Sequence, residues 1–372
     1  MGKKRRRSSA PPPADAGASG DAIREVARAL SGSERVIVGS HIRLDGDAVG
    51  SALALAAILN ARGARASVVL PDEVPRRYRF LAGADRVRDP SRIGTAKGAV
   101  FAVLDVSNPE RLGEAARLLE SASQTVVIDH HVSNTRFGGV NWVEPGASSV
   151  GEMIWRMAMT LAWPVPPTAR EALYAAILTD TGRFSFSNST PEALQAAAAL
   201  VREGVDPACV AEQVYGGRTP GEWALEVRAR ASLVVEPGGR VATMALTAGD
   251  FAETGTTPVA ADDFASFPRT MAGIDVGLFF YEIDGGERTK VGIRTTRAVD
   301  ANVLAGSFGG GGHARAAGCT IDAPVADARR RVVAEVVRAL AGHGDAGQPQ
   351  KPSPAARAGD PCSDRPTGRR KQ

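Results

Sequence analysis

Five histidines occur in the 372 residues, and four of them stand among acids or glycines. His130 and His131 follow Asp129 at the end of the apolar run Val126-Val127-Ile128. His41 opens HIRLDGDAVGS, ahead of Asp45 and Asp47. His313 closes a run of four glycines in GGGGHARAAG. Only His343 stands apart. Imidazole set this close to carboxylate and glycine points to metal and phosphate chemistry rather than to core packing.

Each group has a plain alternative. Asp45-Gly46-Asp47 puts two carboxylates in a tight loop, with Gly46 letting the backbone turn. The same triplet reads as a turn in which Asp47 caps the next helix. Asp105 ends the apolar run 100–105, and an acid there can cap a helix starting at Pro109. Adjacent side chains diverge, so His130 and His131 can face a metal and a substrate separately. Asp129 can hold a ring N–H and fix the tautomer. Asp180, in Asp-Thr-Gly-Arg-Phe, follows an apolar helix, where its charge opposes the helix dipole unless a cation is near. Gly310, Gly311 and Gly312 let backbone approach a phosphate and offer N–H groups for an anion nest, or form only a flexible loop. Arg294, near a strand end, could add a guanidinium fork.

Gathered in one cleft, Asp45, Asp47, Asp105 and Asp180 would repel. Each close pair costs on the order of 4 kcal/mol at 4 Å and an effective dielectric of 20. Two divalent cations would offset four charges. Oxygen donors with some imidazole and no thiolate favour Mn or Mg over structural Zn. Two ions about 3.5–4 Å apart can act on both the attacking and leaving oxygens of a phosphoester.

The elements that must position these groups follow from periodicity. A helix over 21–30 leads to a strand over 35–39, a helix over 48–61, and strands over 66–70, 100–105 and 125–128, with a helix over 109–119 between the last two. Strands alternating with helices predict a doubly wound parallel sheet. His41, Asp45, Asp47, Asp105 and Asp129 to His131 then all follow strand C-terminal ends, where such sheets bind ligands. Helices over 149–160, 168–178 and 191–203 follow. The fold class is therefore α/β. A catalytic domain over 20–205 joins, through a helical linker over 206–230, a smaller α/β domain over 231–343. That domain has strands over 231–236, 240–247, 274–283, 289–295 and 319–321, and helices over 301–308 and 325–341. Residues 1–19 and 344–372 are expected to be disordered tails.

Charge supports this division. The tails carry +4 (1–20) and +3 (344–372), so of the net +4 the remainder holds −3. A core without excess positive charge argues against a long nucleic-acid groove. No apolar run reaches the roughly 18–20 residues of a membrane span. The basic start, residues 3–7, is followed by Pro, Ala and Ser rather than an apolar stretch, so no export signal is expected. Three separated cysteines fit a reduced, cytoplasmic setting.

HIRLDGDAVGS, the acid of VLDVSN, IDHH, TDTGRF and GGGGHARAAG, in that order over residues 33–322, resemble the motifs of the DHH phosphoesterase superfamily with its DHH-associated C-terminal domain. The size is similar to the nanoRNase (oligoribonuclease) and 3′-phosphoadenosine 5′-phosphate phosphatase branch. The resemblance implies two Mn2+ ions, with Mg2+ or Co2+ as alternatives. His41 and Asp45 would bind one ion, Asp47, His130 and Asp180 the other, and Asp105 both. It implies that Asp129 supports the site, that His131 contacts the scissile phosphate, and that Arg294, Gly310, Gly311, Gly312 and His313 hold substrate. The implied reaction cleaves very short RNA to mononucleotides and removes phosphate from the nucleoside bisphosphate. The alternatives are a cyclic or linear dinucleotide phosphodiesterase, an inorganic pyrophosphatase, and a non-catalytic nucleotide-binding regulator. A homodimer is left open. Arg43-Leu44 departs from the family, many of whose members have proline before Asp-Gly-Asp.

Overall fold

The computed structural model describes residues 16–342 except Arg297. His343, the tail over 344–372, and residues 1–15 of the expected N-terminal tail lie outside the described residues. Helix α1 (Ala16–Ser31) leads into β1 (Arg35–Gly39), α2 (Gly46–Ala61) and β2 (Arg65–Val69). Strand β3 (Val100–Leu104), the single-turn α3 (Leu118–Ser121), β4 (Gln124–Asp129) and β5 (Val140–Val143) follow. The five strands form one parallel sheet in the order β2-β1-β3-β4-β5.

Both faces of this sheet are covered, which is why its strands read as continuous apolar runs. Val36, Val38, Ala102 and Ile128 face one core, shared with α1 and α2. Ile37, Phe101, Val103 and Val127 alternate with them and face a second core, built on Ile93, Leu112 and Leu118. The cover of that second face departs from expectation. In place of a helix over 109–119 the chain forms a 3-10 segment, Pro109–Arg117, broken at Gly113 (φ 54°, ψ −133°). A Cβ there would lie 2.7 Å from Cγ2 of Ile42, so close approach to the His41 loop forces the break. Strand β5 was not expected either. It is a four-residue edge strand behind Gly138-Gly139, too short for its alternation to register.

Four helices complete the first core: α4 (Val150–Thr160), α5 (Pro167–Asp180), α6 (Pro191–Arg202) and α7 (Pro207–Tyr215). Helix α8 (Pro220–Ala231), capped by a reciprocal Thr219–Glu222 box, packs on the second sheet instead. Val210 and Val214 of α7 belong to the first core, while Leu225 and Ala229 of α8 belong to a core on the second sheet. The passage between the two cores is thus residues 216–219.

The second sheet comprises β6 (Val234–Val235), β7 (Val241–Leu246), β8 (Val276–Ile283), β9 (Arg288–Thr295), β10 (Gly311–His313) and β11 (Ala316–Ile321). Its order is β10-β11-β9-β8-β7-β6, mixed, with only β7 and β8 parallel. Helices α10 (Ala301–Gly306) and α11 (Val325–Gly342) cover one face. Helix α9 (Ala248–Thr254), held by its own Thr247–Asp250 capping box, follows β7. The order of elements establishes the α/β class and the separate mixed sheet.

Helices α2 and α5 approach closely through glycine. A Cβ at Gly46 would come within 2.3 Å of Oγ1 of Thr179, and one at Gly50 within 2.4 Å of the Ala172 carbonyl oxygen. Gly46 is therefore needed for packing inside the first turn of α2, not for the loop turn that its sequence context suggests. Since overpacking costs typically 1–3 kcal/mol, Gly50→Val is expected to destabilise the fold by at least about 2 kcal/mol in urea. A loss below about 0.5 kcal/mol would contradict this packing.

Candidate functional site

The C-terminal ends of β1, β3 and β4 lie side by side, and the end of α5 reaches over them. His41 is 1% exposed and Asp105 2%. Nδ1 of His41 lies 2.8 Å from the Ile42 carbonyl oxygen, while Nε2 faces Asp105 Oδ2 at 3.2 Å and Asp45 Oδ2 at 3.7 Å. His130 repeats the pattern. Its Nδ1 lies 3.2 Å from the Ala147 carbonyl, and its Nε2 faces Asp105 Oδ1 at 3.5 Å and Asp180 Oδ2 at 3.6 Å.

A carbonyl only accepts, so each Nδ1 carries the proton. In the neutral ring each Nε2 is then a lone pair pointed at two carboxylates. That arrangement needs a positive charge between donor and acids. Burial alone would lower the pKa of His41, but Asp45 and Asp105 outweigh it and raise it to about 10. Burial, with the charges of Asp105 and Asp45, pushes Asp180 up to about 7 despite His130. Asp47 is likewise raised, by burial and by Asp105 and Asp180. Asp105, in spite of its burial, is held low by the imidazoles of His130, His41 and His131 around it.

The backbone serves the same end. Asp105 has φ 60°, in the left-handed region that aspartate tolerates better than most residues, and its N–H donates to the Ile128 carbonyl at 3.0 Å. Its Oδ1 is buried without a hydrogen bond, although His131 Nδ1 lies 3.4 Å away. Asp45, not Asp47, caps α2, accepting from Ala48 N–H at 2.9 Å. Asp47 instead caps α4 from a distance in sequence. Its two oxygens accept from Val150 N–H at 2.7 Å and Gly151 N–H at 2.9 Å. Arg43, one residue ahead of Leu44, has φ 61°, in the left-handed region.

The expected residues therefore converge. His41, Asp45 and Asp105 offer ligand atoms all within 4.8 Å of one another, and so do Asp47, Asp105 and His130. The two groups share Asp105, and Asp180 borders the second. Oxygen and imidazole donors, an orphaned buried carboxylate oxygen on the shared acid, and two lone pairs aimed inward fit a pair of divalent cations.

Asp129 is fully enclosed (0% exposed). Its Oδ1 accepts from His130 N–H at 2.8 Å and lies 2.8 Å from His131 Nδ1, while Oδ2 accepts from Asn134 Nδ2 at 2.6 Å. Asn134 also donates to the Val106 carbonyl at 2.9 Å. Asn188 ties the loop after Asp180 to the Ser148 carbonyl at 2.9 Å. Sequence reasoning missed both asparagines, since an asparagine in a polar loop reads first as a turn residue.

His313 reaches this cleft from the second sheet. Its ring stacks on His131 (centroids 5.0 Å apart, planes at 21°) and lies 5.4 Å from His130. Burial and the neighbouring histidines push its pKa down to about 4. Arg294 and His313 share a rung of the sheet, both registered with Ala316, so both side chains leave the same face. The glycines behave otherwise than expected. Gly311 and Gly312 are strand β10, not loop. A Cβ at Gly310 would lie 2.2 Å from the Gly318 carbonyl oxygen, and one at Gly312 2.6 Å from that of Ala316. Gly312 N–H donates to Asn302 Oδ1 at 2.9 Å. Backbone packing against β11 accounts for Gly310 and Gly312, whereas a Cβ at Gly311 would meet only Asn302 Oδ1, at 3.6 Å.

Comparison with known proteins places the chain in a family. Residues 35–177 match the DHH family, N-terminal domain, and residues 238–342 match the DHHA1 domain. The bifunctional oligoribonuclease and PAP phosphatase NrnA of Thermus thermophilus is 32% identical over 85% of this chain and 92% of its own. The chain belongs to the DHH family of phosphoesterases. The NrnA of Bacillus subtilis is 29% identical over 80% of this chain and 92% of its own. An exopolyphosphatase-related protein from Bacteroides fragilis shares the fold (TM-score 0.79, 21% identity, 88% of this chain and 97% of that one).

A cation held by these groups binds the folded chain and not the unfolded one. At a hundred times its dissociation constant it adds about 2.7 kcal/mol. Mn2+ added to chelator-stripped protein is therefore expected to raise Tm in scanning calorimetry at neutral pH. An unchanged Tm would contradict a preformed site.

Proposed function

We propose that this DHH phosphoesterase hydrolyses very short RNA to mononucleotides and removes phosphate from 3′-phosphoadenosine 5′-phosphate, with two Mn2+ ions as cofactor. The observation that carries this is the pair of donor groups sharing Asp105 directly beneath the stacked His131 and His313. The relatives named bifunctional oligoribonuclease and PAP phosphatase support the substrate class. The DHH family binds divalent metals, and Mn2+ is the ion this donor set favours.

His41 and Asp45 would hold one ion, Asp47, His130 and Asp180 the other, and Asp105 both. When bound, such a pair lowers the pKa of water and neutralises charge on the phosphoryl oxygens. The chain's own residues do the rest. The carbonyls of Ile42 and Ala147 fix the tautomers of His41 and His130. Asp129 accepts Nδ1–H of His131 and so fixes the ring, leaving Nε2 as the atom that would meet a phosphoryl oxygen. His313 and Arg294, from the other sheet, would meet a terminal phosphate. Residues 20–205 and 231–343 would act as catalytic and substrate-holding domains, the cleft between them limiting substrate length.

No described helix is long and apolar enough to cross a membrane. The free thiols of Cys209 and Cys319 support a cytoplasmic setting.

Purified protein with Mn2+ is expected to release mononucleotides from dinucleotide RNA and phosphate from the bisphosphate. Asp105→Ala is expected to lose more than about 100-fold in kcat/KM, beyond what an outer-shell change costs. No product from either substrate would sink the reading. Faster turnover of cyclic di-AMP or its linear product would replace it with the dinucleotide phosphodiesterase.

A further inference from the structure

The residues assigned above would handle metal and phosphate, and none of them is assigned to a nucleobase. The loop that leaves Asp180 carries a group that can. Gly182, Arg183 and Phe184 have φ of 56°, 60° and 60°, three successive left-handed residues. Such a run is strained for L-residues and persists only where its surroundings hold it.

Here they do. The Arg183 guanidinium lies 3.8 Å over the ring of Tyr215, and Phe184 packs against the first core beside Tyr174. Thr181 accepts from Phe184 N–H at 3.1 Å through its hydroxyl and from Phe186 N–H at 3.0 Å through its carbonyl. Asn188 closes the loop onto the Asp180 carbonyl at 3.1 Å.

The product of this turn is the placement of Phe186. A Cβ added to Gly182 would sit 2.5, 2.5 and 2.6 Å from three atoms of the Phe186 ring. Near-equal distances to consecutive ring atoms put that point above the ring face, not off its edge. One face of Phe186 thus lies flat on the Gly182 backbone. The side chain is nonetheless 42% exposed, so its other face is turned outward. It is an aromatic plate backed by a strained turn, two to six residues beyond a carboxylate of the site.

We propose that Phe186 is a stacking platform for a nucleobase of the substrate. Its role is to bind the base, not to touch the reacting atoms. The proposal rests on the nucleotide-substrate reading above. Base–aromatic stacking tolerates any base, so the platform would favour nucleotides over other phosphoesters without selecting sequence.

The test compares wild type, Phe186→Ala and Phe186→Trp with Mn2+ on dinucleotide RNA and on the same dinucleotide with its bases removed. Phe186→Ala is expected to raise KM for the RNA by on the order of 10-fold, with kcat within about 3-fold. It should leave the base-free substrate unaffected, and Phe186→Trp should restore KM. Equal losses on both substrates, or an unchanged KM for RNA, would overturn the platform. Calorimetric binding of adenosine 5′-monophosphate and ribose 5-phosphate separates this proposal from its parent. If wild type fails to cleave RNA yet prefers the nucleotide through Phe186, the parent reading fails and the platform stands. If Phe186→Ala binds the two ligands with the wild-type preference, the platform fails whatever the activity.

Discussion

The buried Asp105 carboxylate is the constraint on which the rest of the site depends. An anion at 2% exposure is costly unless charge or hydrogen bonds compensate it. Here the chain surrounds it with three imidazoles, from His41, His130 and His131. Two of these have their far nitrogens anchored to backbone carbonyls, so they cannot turn away. The result is two donor groups joined at one acid. The left-handed backbone at Asp105 and the glycine-mediated contact of α2 with α5 both serve to bring those groups within reach.

A second set of interactions stiffens this centre from outside. Asp129 spends its oxygens on His130, His131 and Asn134. Asp47 spends both of its oxygens on the first turn of α4, a favourable place for an anion, while remaining at the site. Hence α4 is docked to the site by the same carboxylate that would hold a cation. Loss of Asp47 would free a helix end as well as a ligand.

Much of this was legible in sequence because the signals are local. Apolar runs ending in Asp105 and in Asp129-His130-His131 marked strand ends, and a parallel sheet places strand ends together. The capping role of Asp47 was not legible, since its partners Val150 and Gly151 lie 103 and 104 residues away. Gly46 and Gly310 looked like loop glycines. Their need is set by Thr179 and by Gly318, partners that only the packed structure supplies. The 3-10 break at Gly113 and the edge strand β5 were hidden for the same reason, because tertiary contact overrode local pattern. The face-on seating of Phe186 is likewise invisible to periodicity.

The central claim is that Asp105 joins two cation sites into one. Electron paramagnetic resonance of the chelator-stripped protein, reloaded with Mn2+ and assayed for bound metal, tests it most directly. The account predicts two ions per chain with the spectrum of an exchange-coupled pair, and loss of the coupling in Asp105→Ala. A single bound ion, or two uncoupled ions in the wild-type protein, would contradict it.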